Sequence, residues 1–155
     1  MTIQIDKEII ELLSKSDTQK VIATTDRYGE PHVVFKNNIF IESGNIVLLE
    51  LIETSQTNNN LVNSIWFNRK VAINIKGVNN QSWQIKGIPV KTHISGHIYE
   101  KYYKISEEEN PNIDLGAVWI IKPTKIINNE FNNILQDEKR KHPYLFHLDK
   151  IVKKD

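Results

Sequence analysis

Short runs of β-branched and apolar residues, separated by turns of glycine, asparagine or aspartate, recur along most of this sequence. Such runs favour β-strands, and six are predicted, at residues 19–25, 32–41, 46–51, 71–75, 82–98 and 117–127. Helix-like segments do not alternate strictly with these strands, which disfavours a doubly wound parallel sheet. The pattern therefore predicts a mainly β protein whose antiparallel sheet forms a small closed or split barrel with short flanking helices.

The longest extended stretch, residues 82–98, changes phase near its middle. Trp83 and Ile85 point to one face of a strand, whereas Ile88 and Val90 have the opposite parity. The change falls at Gly87, where a β-bulge would account for it. We therefore expect the strand to bend at Gly87, as strands do at barrel corners.

Helices are predicted before, between and after the strands. Asp6 can cap a first helix that ends near Ser16, with its apolar face on Ile9, Leu12 and Leu13. A later helix contains the acidic run at residues 107–109 and is closed by Pro111. The predicted helical tail, residues 129–155, is centred on apolar and aromatic side chains: Phe131, Ile134, Leu135, Tyr144, Leu145 and Phe146.

The remaining helix, predicted between Thr54 and Lys70, opens with seven consecutive hydroxyl or amide side chains at residues 54–60. Such side chains accept hydrogen bonds from the free N–H groups of a first helical turn. Apolar residues follow at spacings of three and four and predict one buried face: Leu61, Val62, Ile65 and Trp66. A helix start rich in donors and hydroxyls can seat a phosphate, although such starts are also common without a ligand.

The composition bounds the class of protein. A chain of 155 residues predicts a single domain, with a barrel at about residues 19–127 and the tail at 129–155. The net charge of +1 provides no long-range field for nucleic-acid backbones, and the lack of cysteine excludes disulfides and cysteine-ligated metals. The N-terminus does not resemble a signal peptide and no apolar run could span a bilayer, so we expect a cytoplasmic protein with no membrane partner.

Motifs for acyl transfer and nucleotide binding are absent from the sequence. It contains no G-x-S-x-G elbow, G-x-G-x-x-G loop or Walker A element, so we name no catalytic residue. His93 and His97 lie on or just after a strand without a carboxylate pattern, which favours solvated or structural histidines over a metal site. The basic cluster at residues 139–142, near Tyr144 and Phe146, leaves RNA binding as a minor alternative, and no nucleic-acid partner is expected.

Four segments, in their order along the chain, carry a family resemblance. These are DRYGEPHVV followed by Phe35-Lys36-Asn37, the S-x-T-x-x-N-L element that begins at Ser55, RKVAINI, and WQIKG. From Gln19 to Ile127 the chain resembles the FMN-binding split-barrel family, which contains pyridoxamine 5'-phosphate oxidase and small FMN-binding proteins. The resemblance implies a six-stranded antiparallel split β-barrel that forms a homodimer and holds FMN in a cleft at the subunit interface.

The same resemblance implies roles for individual residues. The S-x-[TK] element would place Ser55, Gln56 and Thr57 on the FMN phosphate, with Asn60 nearby. Two strands would edge the isoalloxazine ring and the ribityl chain through six side chains: Phe35, Lys36, Asn37, Trp83, Gln84 and Lys86. Many relatives carry lysine where this chain has Thr57, so the phosphate charge would rely on the helix dipole, on hydroxyls, and on Lys36 or Arg69.

The hypothesis from the sequence is an FMN-binding redox protein, or a reductase of small electron acceptors, in which the cofactor carries the electrons. The basic C-terminal residues with which pyridoxamine 5'-phosphate oxidase holds its substrate have no match, so vitamin B6 synthesis is not predicted. The alternative is a flavin-free barrel that serves as an interaction module or binds another ligand. Haem is one such ligand, for which His93 or His97 could coordinate the iron.

Overall fold

The computed structural model describes residues 3–143, and this part of the chain forms seven strands and four helices. The strands are β1 (Gln19–Thr25), β2 (Pro31–Phe35), β3 (Ile39–Glu42), β4 (Asn45–Glu50), β5 (Val71–Lys76), β6 (Ser82–His93) and β7 (Ala117–Asn128). The helices are α1 (Lys7–Ser14), α2 (Gln56–Trp66), α3 (Gly96–Glu109) and α4 (Phe131–Lys141).

All seven strands belong to one antiparallel sheet, in the order β2-β1-β5-β6-β7-β4-β3. The two outermost strands of this order, β2 and β3, are consecutive in the chain and are joined only by residues 36–38. A link this short brings the two edges of the sheet together, so the sheet must curl. The fold is therefore a curled antiparallel half-barrel with flanking helices, as the mainly β prediction required.

The prediction of six strands was wrong at residues 32–41, where one continuous strand was expected. The chain instead breaks at a corner formed by residues 36–38. On one side of this corner the backbone N–H of Lys36 donates to the carbonyl of Lys20 on β1, and on the other the N–H of Leu49 donates to the carbonyl of Asn38, both at 3.0 Å. The two halves pair with different strands, which the local residue pattern did not reveal.

The predicted bulge at Gly87 is confirmed. The pairing of β6 with β7 shifts register between Lys86 and Gly87, and again between Pro89 and Lys91. The backbone of β7 lies so close to Gly87 that an added Cβ would approach Ile121 Cγ2 at 2.6 Å and the carbonyl oxygen of Lys122 at 2.9 Å. The extended stretch ends at His93 rather than at residue 98, because α3 begins at Gly96.

Replacing Gly87 with alanine is expected to lower the free energy of unfolding by about 1–3 kcal/mol, as in other overpacked cores. The new methyl group meets backbone as well as the Ile121 side chain, so a rotamer change cannot relieve the clash. Urea denaturation followed by far-UV circular dichroism measures the change. An unchanged denaturation midpoint would contradict the close approach of β6 and β7.

Two groups of buried side chains cover the two faces of the sheet. The larger one fills the inside of the curl and includes Ile9, Leu12 and Leu13 of α1, which confirms the predicted face of that helix. The smaller one lies under α3 and includes Val47, Leu49, Tyr102, Leu115 and Val118. Burial raises the pKa of the Tyr102 hydroxyl, which donates to the Glu42 carboxylate.

The buried face of α2 differs from the predicted one. Of the four apolar residues expected to face the core, only Leu61 is buried, whereas Val62, Ile65 and Trp66 are exposed. The residues that face the core with Leu61 are polar: Thr57, Asn60 and Ser64. Together with Leu61 these residues follow the spacing i, i+3, i+4, i+7 of a helix face, but apolar periodicity alone does not reveal a face that is mostly polar.

The predicted helical tail is observed in part, as α4, in which no residue is buried. Tyr144, Leu145 and Phe146, which were expected to continue the tail, lie outside the described residues. Within residues 3–143, none of the helices combines the length and the hydropathy needed to cross a bilayer.

Candidate functional site

The start of α2 presents free hydrogen-bond donors. Ser55 is the N-cap, and its Oγ accepts a hydrogen bond of 3.0 Å from the backbone N–H of Asn58, as predicted for this segment. The first two N–H groups of the helix, on Gln56 and Thr57, have no partner inside the helix because no residue lies four positions before them in it. These two donors and the Ser55 hydroxyl form the edge of the helix to which an anion could bind.

The side chains of Thr57 and Asn60 are buried and hold α2 on the sheet. Thr57 Oγ1 lies 3.2 Å from Nε2 of His32 on β2, and the Asn60 amide donates to Oγ1 of Thr24 on β1 at 2.9 Å. Thr57 is 1% exposed and Asn60 is fully buried, so both side chains are turned away from solvent. The backbone N–H of Thr57, rather than its side chain, is therefore the group most suited to meet a ligand.

Trp119 of β7 fixes the same turn of α2 from the other side of the curl. Its Nε1 donates to Oδ1 of Asn58 at 2.7 Å, and the indole is 1% exposed. The sequence assigned no function to Trp119, Thr24 or His32, because each lies far from residue 58 in the chain, and His32 lies in the DRYGEPHVV segment without a role of its own. Their contact with the helix start depends on the closure of the sheet.

The two cations considered for the phosphate charge are both held by protein groups. Lys36 Nζ lies 2.6 Å from Oε2 of Glu50, whose side chain is 1% exposed. The Arg69 guanidinium donates to the backbone carbonyls of Asp26 and Arg27 and so fastens the turn after β1. Neither cation is directed at the start of α2 by these contacts.

Three of the predicted flavin residues share the outer face of the half-barrel. Residues directly opposite each other in an antiparallel pair point to the same face, so the pairing defines rows across β2, β1, β5 and β6. One row contains Val33, Ala23, Ala72 and Lys86, and the next contains Phe35, Val21, Asn74 and Gln84. We call these eight residues the outer shelf.

The outer shelf has small side chains at its centre, and the edge strand β2 separates it from the start of α2. Val33 directly follows His32, whose ring contacts Thr57, and successive side chains of a strand point to opposite faces, so α2 covers the inner face of β2 while the first row lies on its outer face. The second row lies about 7 Å further along the strands, at two residues of about 3.3 Å each. Alanine occupies the middle of the first row, and the side chains of Val33 and Phe35 are 62% and 67% exposed at one end. The shelf can therefore accept a flat ring system.

The other predicted flavin residues on the strands do not lie on this shelf. Trp83 belongs to the row of Lys20 and Ile75 on the inner face, where it packs against the larger buried group. Its Nε1 is buried and has no hydrogen-bond partner among residues 3–143. Asn37 lies at the corner, where its carbonyl accepts from Lys20 Nζ.

A separate surface cavity contains both histidines considered for haem. It has a volume of about 500 Å³ and lies between the end of β6, the first turn of α3 and the turn between β3 and β4. His93 and His97 both line it, and its apolar walls are formed by Val47, Val90, Ile98 and Ile120. The sequence favoured solvated or structural histidines and did not predict that both would line one cavity.

The basic cluster considered for RNA lies at the end of α4. Arg140 and Lys141 both form ion pairs with Asp137, and hydrogen bonds from these two residues lower the pKa of the Asp137 carboxyl. The pairing offsets part of the positive charge of the cluster. The aromatic residues expected beside it, Tyr144 and Phe146, are outside the described residues.

No protein-family model and no curated protein matches this sequence. Several solved structures resemble the fold. HupZ from Group A Streptococcus has a TM-score of 0.69 and 21% identity, over 83% of this chain and 96% of HupZ. An FMN-binding protein from Syntrophomonas wolfei has a TM-score of 0.63 and 15% identity, over 80% of this chain and 88% of its own. HutZ, the haem storage protein of Vibrio cholerae, has a TM-score of 0.59 and 12% identity, over 81% of this chain and 95% of HutZ.

At these identities the likeness establishes the fold. The neighbours include FMN-binding proteins and an F420 reductase, so the resemblance predicted from the sequence is confirmed at the level of the split-barrel fold. The same fold also contains a haem storage protein.

Proposed function

We propose that this chain, which has the fold of the FMN-binding split barrels, binds FMN and acts as a redox protein or a reductase of small electron acceptors. The observation that carries the proposal is the pairing register that places Phe35, Gln84 and Lys86 on one exposed face beside the small side chains of Ala23 and Ala72. The start of α2 lies on the other side of the edge strand β2, so the proposed ligand reaches around that edge, with its phosphate at the helix and its ring on the shelf.

The phosphate end is proposed to bind the backbone N–H groups of Gln56 and Thr57 and the Ser55 hydroxyl. Because the side chains of Thr57 and Asn60 already bond to His32 and Thr24, their role is to hold the first turn of α2 in place. The helix dipole favours an anion at this end. Since Lys36 and Arg69 are held elsewhere, the phosphate charge would be met mainly by these N–H groups.

The ring is proposed to lie on the outer shelf. Phe35 offers an apolar edge, and the amides of Asn74 and Gln84 offer a donor and an acceptor for the imide edge of a flavin. Lys86 supplies a cation at the β6 end of the first row, opposite Val33. Trp83, which packs directly beneath β6 on the inner face, would position Gln84 and Lys86 rather than touch the ring.

In this proposal the flavin supplies the electron-transfer chemistry and the protein supplies binding, orientation and charge. Within the described chain, no hydrogen bond orients a shelf residue to donate a proton to a bound substrate. A positive group near a flavin ring favours the anionic reduced form, so Lys86 would raise the tendency of the bound cofactor to accept electrons. The electron partner would be a small molecule that reaches the open face of the ring.

A second copy of this chain is proposed to cover the shelf. Exposed apolar side chains occur on β2, at Val33 and Phe35, and on α2, at Val62, Ile65 and Trp66. A surface with this many exposed apolar side chains is typical of an interface, and a shelf on the outer face of a half-barrel leaves one side of a bound ring open. The homodimer, with its cofactor at the interface and a cytoplasmic location, is thus part of the same proposal.

A bulky residue at the low centre of the shelf should abolish FMN binding. We expect Ala72→Phe to weaken FMN binding at least about tenfold, because the ring of phenylalanine would occupy the space proposed for the flavin. Apoprotein is titrated with FMN and the quenching of flavin fluorescence is measured. Val78→Phe, at an exposed turn position, is the matched control and should bind like the original chain.

Two results would contradict the flavin proposal. One is a protein that stays colourless and leaves the fluorescence of added FMN unchanged. The other is an Ala72→Phe variant that binds FMN as tightly as Val78→Phe does. Light scattering on the same samples measures the molar mass, and a monomer in the presence of FMN would remove the dimer from the proposal.

A second candidate function, haem binding, is favoured by the cavity that contains both His93 and His97. Its apolar walls could cover part of a porphyrin, and either imidazole could coordinate iron. Addition of haem would then produce a Soret band that shifts in His93→Ala or His97→Ala. A spectrum that is identical in both variants would exclude this cavity as the haem site.

A further inference from the structure

A further cavity of the described chain lies outside the proposed flavin site. It has a volume of about 690 Å³ and is enclosed by the C-terminal end of α1, the corner at residues 36–38, strand β3 and the last turn of α3. A cavity of this size is in the range of small-molecule sites, about 300–1,000 Å³. It shares Asn37 with the residues that the family resemblance assigns to FMN, but none of the outer shelf residues lines it.

One wall of the cavity is apolar and rigid. Leu13 of α1 and Ile39 of β3 belong to the larger buried group and are 5% and 1% exposed. Ile41 extends this wall along β3, Phe40 lines the cavity from the opposite face of the same strand, and Ile10 forms the rim with 41% of its surface exposed. Hydrocarbon placed against this wall would be removed from water without any movement of the core.

The polar side of the cavity is centred on the Lys20 ammonium. Lys20 Nζ donates to the carbonyl of Asn37 at 3.1 Å, and the backbone carbonyl of Lys20 accepts from Lys36, so both ends of the residue are fixed to the corner. An ammonium has three donors, and no further hydrogen bond of Lys20 Nζ occurs within residues 3–143. Burial lowers the pKa of Lys20, and the carboxylate of Glu109 acts in the opposite direction.

We propose that this cavity binds a small organic acid, with its carboxylate on Lys20 and its apolar body against Leu13, Ile39 and Ile41. Two unused donors on a fixed, partly desolvated ammonium favour an anionic oxygen acceptor over a neutral one. The side-chain amides of Asn37 and Asn38 also line the cavity and can donate to the same carboxylate. A free cation would meet the Lys20 charge and is disfavoured.

The test compares an acid with its neutral amide and uses a pair of lysine variants. Hydrocinnamate and hydrocinnamamide are titrated into the protein, and the shifts of backbone amide NMR signals are measured. We expect the acid to bind more tightly than the amide, and Lys20→Met to weaken acid binding about tenfold or more through loss of a charged hydrogen bond. Lys7→Met, at a lysine whose side chain is 89% exposed, is the matched control and should leave the affinity unchanged.

A second variant tests the sign of the charge effect without removing Lys20. Glu109 lines the cavity and its carboxylate repels an acid, so Glu109→Gln should tighten acid binding by up to about fivefold, the range of an exposed charge pair. The proposal is overturned if hydrocinnamate fails to shift cavity signals at millimolar concentration. It is equally overturned if acid and amide bind alike, if Lys20→Met behaves like Lys7→Met, or if Glu109→Gln weakens the acid.

Discussion

Replacing Lys36 with methionine is expected to lower the free energy of unfolding by about 3 kcal/mol, at the low end of the range for breaking a buried ion pair. Lys36 joins the end of β2 to Glu50 at the end of β4, and the Glu50 side chain is 1% exposed. Without the ammonium, the Glu50 carboxylate would be buried with only the backbone N–H of Ile52 as a donor. Chemical denaturation at neutral pH measures the loss.

The second described lysine–glutamate pair between distant parts of the chain provides the control. Lys101 and Glu42 are 49% and 39% exposed, so Lys101→Met should cost less than about 1 kcal/mol. The double variant Lys36→Met with Glu50→Gln should recover part of the stability lost in Lys36→Met, because no buried charge remains. If the two single lysine variants had the same free energy of unfolding, the Lys36–Glu50 pair would contribute no more to stability than the exposed pair does.

Removing both hydroxyls at the start of α2, in the variant Ser55→Ala with Thr57→Ala, is expected to weaken FMN binding by about a hundredfold. Loss of a hydrogen bond to a charged group costs about 1.5–3 kcal/mol. The Ser55 hydroxyl is proposed to touch the phosphate, and the Thr57 hydroxyl holds the first turn through His32. Fluorescence titration gives the dissociation constant, and thermal unfolding of the apoprotein separates weak binding from an unfolded helix.

Single variants separate the proposed phosphate contact from the stabilisation of the first helical turn. Ser55→Ala removes the N-cap and should reduce both affinity and stability, the latter by about 1 kcal/mol. Thr54→Ala, at the exposed hydroxyl just before the cap, should change neither. Full retention of FMN by the double variant would show that the phosphate does not lie at this helix, whereas an equal loss in Thr54→Ala would mean that the effect is not specific to the first turn.

Most strands could be predicted from the sequence because each is set by residues close together in the chain. The turn glycines and β-branched runs gave the positions of β1, β4, β5 and β7, and the change of parity at Gly87 gave the bulge. The corner at residues 36–38 could not be predicted in this way. Whether the chain continues or breaks there depends on Lys20 and Leu49, which belong to strands on opposite sides of the seam.

The candidate site shows the same division. The N-cap at Ser55 follows from local chemistry, and the structure has the expected hydrogen bond. The burial of Thr57 and Asn60 depends on Thr24 and His32, which become neighbours only when the sheet forms. Polar residues on a buried helix face also defeat a prediction based on hydrophobicity, so Val62, Ile65 and Trp66 were assigned to the core although they are exposed.

The corner at residues 36–38 also affects how the chain folds during synthesis. The hairpin of β3 and β4 attaches to the rest of the sheet only through β7, whose first residue, Ala117, pairs with Glu50. While a ribosome is still adding the intervening residues, the apolar side of β4, with Val47 and Leu49, has no strand beside it. A nascent chain of this protein is thus most prone to aggregate before β7 has emerged, and slow translation of that interval would prolong the need for a chaperone.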